Sequence, residues 1–387
     1  MDPELGGEIL ETLRRDPLRL ALTEATLRTF HIAKQFADNK AVLSSLDYDL
    51  SGIRCVTTSL DESLRIYDCV QGTREQVSYS KKYGCNLARF TAQPGCVAYA
   101  STKINDTIRY LSYDTNQFIR YFVGHTARVT SLQRSPDQAA ILSAALDGTV
   151  RIWDLDEVHA ASTVTPVCSG GGSGTGGLTA SYDPSGTVVA VAVRSTELQL
   201  YDTRKLTKGP FQSAKIDRLP MGLSRTVAGV SFIPPVGNTI LLSMAGRSLV
   251  LVDAFSLKTT AVLSSTALGN SGIKAGAQPL GPEPSDTDSV LKEMQRGCFG
   301  QNTTATPDGR VVISGCDGGG IALWDISRLH GDIAYGSNGA ENGSVPVIAP
   351  NSAWNGSHEG PVGVCAFNPH LLECVSGSQS LTLWTPA

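Results

Sequence analysis

Charge is scarce in this 387-residue chain. Asp, Glu, Lys and Arg make up 18%, below the roughly 25% usual for soluble proteins, which disfavours long solvated helices and coiled coils. Long apolar runs are missing too. Stretches such as VVAVAV (188–193) fall well short of the ~20 residues a membrane helix needs. Neither sign of charge dominates: 32 Lys+Arg stand against 36 Asp+Glu, a net of −4. A globally basic nucleic-acid binder is therefore not expected, and any basic patch must be local. Nor are the usual marks of chemistry present. There is no G-x-x-x-x-G-K-[ST], H-E-x-x-H or G-x-S-x-G. Gly172, Gly174 and Gly177 satisfy G-x-G-x-x-G, but a strand and the Asp183-Pro184 turn follow instead of the helix a dinucleotide cradle requires. The six histidines are dispersed, without metal-ligand spacing. No catalytic residue, cofactor or metal is expected. The nine cysteines are odd in number and never in C-x-x-C, so they read as reduced, buried thiols of an intracellular protein. The opening residues carry acids and arginines without an apolar core, unlike a secretory leader.

What the chain has is glycine, short apolar strands and a repeat. Glycine numbers 39, about 10% against a usual ~7%, and points to many turns. The clearest unit is GHTARVTSLQRSPDQAAILSAALDGTVRIWD (124–154). It reads as strand, turn at Ser135-Pro136-Asp137, strand, tight turn at Asp147-Gly148, and strand ending at Trp153-Asp154. Gly124-His125 at one end and Trp153-Asp154 at the other match a propeller blade of the WD type. Six further units begin at Leu43, Leu87, Leu178, Val227, Cys298 and Val362. Their third strands, with that of the clearest unit, end at 68, 112, 154, 202, 253, 325 and 385. The early spacings of 44 and 42 match the ~40–45-residue WD period. The fold expected is all-β: a seven-bladed WD-repeat propeller over 27–387, with an extension at 1–26 that is disordered or holds a short helix at 8–22.

The repeat's polar residues have a structural logic. In a blade of strands A–D, the B–C turn and the D–A loop share one face. An aspartate at the B–C turn can accept from a histidine of the D–A loop and from turn amides. His125, Asp147, Trp153 and Asp154 are expected in this role in blade three. Asp61 is expected at the same turn of blade one, and Trp324 with Asp325 at the end of the third strand of blade six. Residues 27–36 (LRTFHIAKQF) are expected to form the outer strand of blade seven, joining the chain ends and removing an exposed edge. Insertions are expected at 169–177 and 268–296 in D–A loops, and at 327–343 between strands C and D of blade six.

Several strings fall outside the generic blade: YSKKYG (79–84), TKINDTIRYLS (102–112), IRYFVGH (119–125), YDTRKLTKGPF (201–211), FNP (367–369) and the closing LWTP. With them the chain, from about Leu27 to Trp384, resembles the WD repeat-containing protein 82 family. The resemblance implies a nuclear, monomeric, non-catalytic scaffold within a larger complex. The implied partners are subunits of a COMPASS-type histone methyltransferase, a protein phosphatase 1 scaffold, termination factors and the phosphorylated C-terminal tail of RNA polymerase II. A generic WD adaptor, such as a ubiquitin-ligase substrate receptor or a trafficking subunit, is the alternative. A hydrolytic propeller would need a carboxylate pair or metal motif the chain lacks. The place expected for a phosphorylated peptide is a basic, aromatic cluster on one face: Lys81, Lys82, Tyr83, Lys103 and Arg128.

Overall fold

The computed structural model describes residues 24–137, 140–157, 159–166, 177–193, 197–216, 219, 226–244, 248–264, 303–327, 329, 345–356 and 358–387. The expected helix at 8–22 and the insertion at 268–296 lie outside this set. So do 169–177 apart from Gly177, and 327–343 apart from Ser327 and Leu329.

A short helix (Glu24–Arg28) precedes β1 (Phe30–Phe36). Blade one is β2 (Leu43–Tyr48), β3 (Arg54–Ser59), β4 (Ser63–Asp68) and β5 (Thr73–Tyr79). Blade two is β6 (Asn86–Phe90), β7 (Cys96–Ala100), β8 (Ile108–Ser112) and β9 (Gln117–Phe122). Blade three is β10 (Val129–Arg134), β11 (Ala140–Ala145), β12 (Val150–Asp154) and β13 (Ala160–Val164). Blade four is β14 (Leu178–Tyr182), β15 (Val188–Val193), β16 (Glu197–Asp202) and β17 (Gln212–Lys215). Blade five is β18 (Val227–Phe232), β19 (Thr239–Met244), β20 (Leu249–Asp253) and β21 (Thr259–Leu263). In blade six, β22 (Thr303–Ala305), β23 (Val311–Gly315) and β24 (Ile321–Asp325) are followed by β25 (Val347–Ile348) and then by the outer strand β26 (Ser352–Trp354). Blade seven is β27 (Val364–Phe367), β28 (Cys374–Gly377), β29 (Leu381–Pro386) and β1. The protein is thus a seven-bladed propeller.

The burial pattern explains the ring. Second strands such as β7 and β23 are buried at every position, because each sheet has a neighbour on both faces. The apolar clusters accordingly span blade junctions. One joins Cys96, Ile108, Tyr110 and Phe122 of blade two to Leu132, Ile141 and Trp153 of blade three. Each large side chain buried this way contributes about 1.5–3 kcal/mol. Outer strands are wet instead: β5 and β9 are largely exposed. Around the central channel, polar side chains of one inner strand bond the backbone of the next. Ser45 Oγ accepts from the Ala88 amide, Asp47 Oδ2 from Phe90, Ser131 Oγ from Ala180 and Gln133 Oε1 from Tyr182, at 2.7–3.0 Å.

The ring closes on the N-terminal strand. β1 runs antiparallel to β29, from Phe30 opposite Pro386 to Phe36 opposite Leu381. The strand starts at Phe30, not at Leu27 as expected. The Ala387 amide still donates to the Thr29 carbonyl at 3.2 Å, and before that residue Leu27 and Arg28 lie in the short helix. Leu27 is buried there, and its carbonyl accepts from Trp354 Nε1 at 2.8 Å. Phe30 stacks on Trp354 with ring centroids 4.8 Å apart.

One element was not foreseen. β25 pairs in parallel with β21, adding a fifth strand to blade five from within the chain excursion of blade six. The Val262 and Ser264 amides donate to the Pro346 and Ile348 carbonyls at 2.9 and 3.1 Å.

Candidate functional site

The D–A loop of blade three carries His125 to the B–C turn of the same blade. Gly124 is required beside it, since a Cβ there would lie 2.4 Å from the Arg151 guanidinium and 3.0 Å from the Trp153 ring. His125 Nδ1 lies 2.9 Å from Asp147 Oδ2, and the Thr126 amide donates to the same oxygen at 3.0 Å. Asp147 Oδ1 accepts from the Thr149 amide and hydroxyl at 2.9 and 2.7 Å. Gly148 completes the turn at φ 77°, where a side chain is disfavoured.

Ser143, on β11, is the residue that sequence reasoning missed. Its Oγ is 2.7 Å from His125 Nε2 and accepts from Trp153 Nε1 at 2.8 Å. The ionised Asp147 can only accept, so Nδ1 carries the ring proton; on the neutral ring Nε2 then accepts the Ser143 proton, while Ser143 Oγ accepts from the indole. The chain Trp153–Ser143–His125–Asp147 is thereby satisfied with a neutral imidazole. Burial lowers the pKa of His125, against the pull of Asp147. Burial alone would raise Asp147, but hydrogen bonds from Thr149, His125 and the turn amides more than offset it and lower its pKa.

Blade seven repeats the arrangement with different letters. His358 Nε2 lies 2.8 Å from Ser376 Oγ, which accepts from Trp384 Nε1 at 2.9 Å, and His358 Nδ1 meets Ser380 Oγ at 3.0 Å. The separations, 18 residues from His to the buried serine and 22 to the turn residue, are those of blade three. That spacing is the signal that could have found it. With no carboxylate opposite, burial pushes His358 down to about 4.

The other blade residues differ. In blade one no histidine among the described residues faces Asp61, whose oxygens accept the Lys40 and Ser63 amides at 3.1 and 3.0 Å, with Arg65 at 3.4 Å. Trp324 donates to the Ile348 carbonyl at 3.2 Å, so its indole serves the added strand. Asp154 and Asp325 each accept the amide two residues on, from Asp156 and Ser327.

The basic cluster resolves into unequal parts. Lys81, Lys82 and Tyr83 lie in the loop between β5 and β6. The Thr102 and Lys103 amides fix this loop by donating to the Tyr83 carbonyl at 2.9 and 2.8 Å. The Tyr83 ring lies 3.6 Å from the buried Arg109 guanidinium, which also faces Phe118 and Tyr121 at 5.6 and 5.1 Å. Lys81 Nζ stands 5.8 Å from the Tyr79 ring and Lys82 Nζ 5.1 Å from the Tyr83 ring. A cleft of about 260 Å³ runs down the rim here, lined by Tyr79, Lys81, Lys82, Tyr83, Asn116 and Phe118 among others. Neither lysine has a carboxylate within ion-pairing distance among the described residues. Lys103 is different, because it is ion-paired with Glu62. Arg128 is half-buried; burial lowers its pKa, and Asp106 nearby partly restores it. Lys81, Lys82 and Tyr83 therefore form one open surface, from which Lys103 is drawn off by Glu62 and Arg128 by its partial burial.

Comparison with known proteins agrees with this architecture. Residues 116–154 match the model of the WD domain, G-beta repeat. The chain is 32% identical over 370 residues to WD repeat-containing protein 82 of Drosophila melanogaster, covering 95% of this chain and 98% of the relative. The chain belongs to the WD repeat-containing protein 82 family. Within that family it is 35% identical to the Set1 complex component swd2 of Schizosaccharomyces pombe, over 89% of this chain and 92% of the relative. It is 28% identical to the COMPASS component SWD2 of Saccharomyces cerevisiae, over 94% and 98%. The family is one of non-catalytic WD-repeat propellers.

Proposed function

We propose that the protein is a scaffold subunit of a nuclear, chromatin-bound histone methyltransferase complex of the Set1/COMPASS type. We propose further that it takes a phosphorylated, extended peptide in the rim cleft at Lys81–Tyr83. The first part rests on the full-length similarity to Set1 and COMPASS components. The second rests on one observation: two exposed ammonium groups, with no ion pair among the described residues, beside the Tyr79, Tyr83 and Phe118 rings. Ammonium groups pair with phosphate oxygens, and the rings give the peptide backbone and prolines a flat surface. The polymerase tail is the peptide proposed. A phosphatase 1 scaffold and termination factors are the further partners that the family resemblance adds.

Fluorescence anisotropy with matched phosphorylated and unphosphorylated heptad-repeat peptides tests the cleft. Binding must depend on phosphate, weaken with salt and drop in a Lys81→Glu/Lys82→Glu variant. Phosphate-blind binding, or binding untouched by that variant, overturns it. Affinity purification tests the complex: methyltransferase subunits in the eluate support it, and only cullin-type or coat partners refute it.

A further inference from the structure

The C–D turn of blade four carries a second charged surface, on the opposite face from the Lys81 loop. Between β16 and β17 the chain makes a 3-10 turn over Thr203–Lys208. Leu206 is its only buried residue. Arg204, Lys205 and Lys208 are all exposed, and none has an ion pair among the described residues. The single carboxylate lining the same cleft, Asp202, accepts the Arg204 amide through Oδ1 at 2.9 Å and offsets one of the three cations, so the cleft keeps a positive excess. The cleft measures about 520 Å³ and is completed by Gly209, Pro210 and Phe211. Phe211 is 59% exposed, and Phe255 on the next C–D turn is 74% exposed. The two turns are tied by Gln212 Nε2, which donates to the Phe255 carbonyl at 2.8 Å.

This arrangement does little for the fold. Lys205 and Lys208 are three apart in a turn, a spacing at which like charges repel, and only Leu206 returns packing. An exposed phenylalanine likewise gains nothing from water. The concentration is local, because the chain as a whole carries −4. A cleft with a positive excess and an apolar wall is complementary to an acidic segment carrying a large apolar side chain. We propose that the cleft formed by Arg204, Lys205, Lys208 and Phe211 docks an extended acidic segment of a partner protein. In this arrangement carboxylates of the segment meet the three cations, and an apolar side chain packs on Pro210 and Phe211. The site is independent of the Lys81 cleft.

The test uses the full chain and a labelled peptide of alternating Glu and Asp with one central Phe, beside a Gln/Asn control. The expected result is binding of the acidic peptide only, weakened about tenfold between about 50 and 300 mM salt. Arg204→Glu/Lys208→Glu should weaken it about tenfold or more, the worth of one charge-assisted hydrogen bond. Phe211→Ala should weaken it several-fold, and Lys81→Glu/Lys82→Glu should leave it unchanged. These side chains are exposed and unpaired, so melting curves of the variants should match the parent. Three results would overturn the proposal: no binding, binding indifferent to Arg204→Glu/Lys208→Glu, or tighter binding of a single-stranded RNA of equal charge. If Lys81→Glu/Lys82→Glu alone abolishes binding, the acidic segment belongs to the other cleft and this one is a solvated turn.

Discussion

Ser143→Ala is the sharpest test of how blade three is held. The substitution removes one oxygen and leaves no cavity worth a methyl group. Packing is therefore nearly constant while two buried groups lose their partner. Trp153, fully buried, is left with an indole N–H facing nothing; His125, 8% exposed, is left with an empty acceptor at Nε2. An orphaned buried polar group costs about 1–3 kcal/mol, so the pair should cost about 2–5 kcal/mol. Asp147→Ala should cost about 1–3 kcal/mol: His125 Nδ1 and the Thr149 amide and hydroxyl lose their acceptor, while the exposed Thr126 amide can find water. Trp153→Ala, which also empties the core, should cost about 3–5 kcal/mol. Urea unfolding followed by far-UV circular dichroism measures all three, with an unchanged m-value as the check that the two-state reading holds. Ser376→Ala in blade seven should behave like Ser143→Ala, and the double variant should be additive within about 0.5 kcal/mol, since the sites share no partner. A Ser143→Ala cost below about 0.5 kcal/mol would refute the relay, as the hydroxyl would then be an ordinary strand residue.

Deleting residues 1–26 should leave thermal stability nearly unchanged, whereas deleting 1–37 exposes the edge of β29 and should cause aggregation visible by light scattering. Equal melting of the two truncations would argue against closure by β1. Because His358 sits near 4 in the fold and at an ordinary value when unfolded, the unfolded chain binds more protons below about pH 6.5. Stability should therefore fall by about 2 kcal/mol from pH 7 to 5 at this residue, and His358→Asn should remove much of that slope in urea titrations. Ile104 holds φ 65° while 74% exposed, a conformation costly for a β-branched residue. Ile104→Gly should raise the denaturation midpoint by the equivalent of about 1 kcal/mol, and a lower midpoint would mean the turn is not strained there.

The ring and its blade count were legible because the early third-strand ends, at 68, 112, 154 and 202, fall at an even spacing and because blade three carries both Gly124-His125 and Trp153-Asp154. The parts that stayed hidden have physical reasons. Ser143 looks like any small residue on a buried strand, and only its placement between two ring nitrogens gives it a role. His358 went unread because serine replaces glycine before it and Ser380 replaces the aspartate, although the 18- and 22-residue separations persist. β25 is two residues long, below what any alternation pattern can reveal. The basic cluster was read from charge and loop position alone. Nothing in that reading tells Lys81, which faces solvent, from Lys103, which faces Glu62.

The closure by β1 also governs when the molecule can be finished. Gln35 and Ser380, which hydrogen-bond across the closing pair, are 345 residues apart. At about 5–20 residues per second of synthesis, the N-terminal strand waits roughly 20–70 s for its partner. During that interval β1 is a lone strand on the ribosome, and blade one has no seventh blade to cover the face that buries Leu43 and Tyr67 against Val375 and Leu383. The early blades can stack in order as they emerge, but the ring locks only when β29 reaches β1. Every nascent chain therefore passes through a long open state with two uncovered blade surfaces. In that state the need for chaperone protection is set by translation speed, and a chain cut before β29 leaves an open arc in place of a slightly shorter ring.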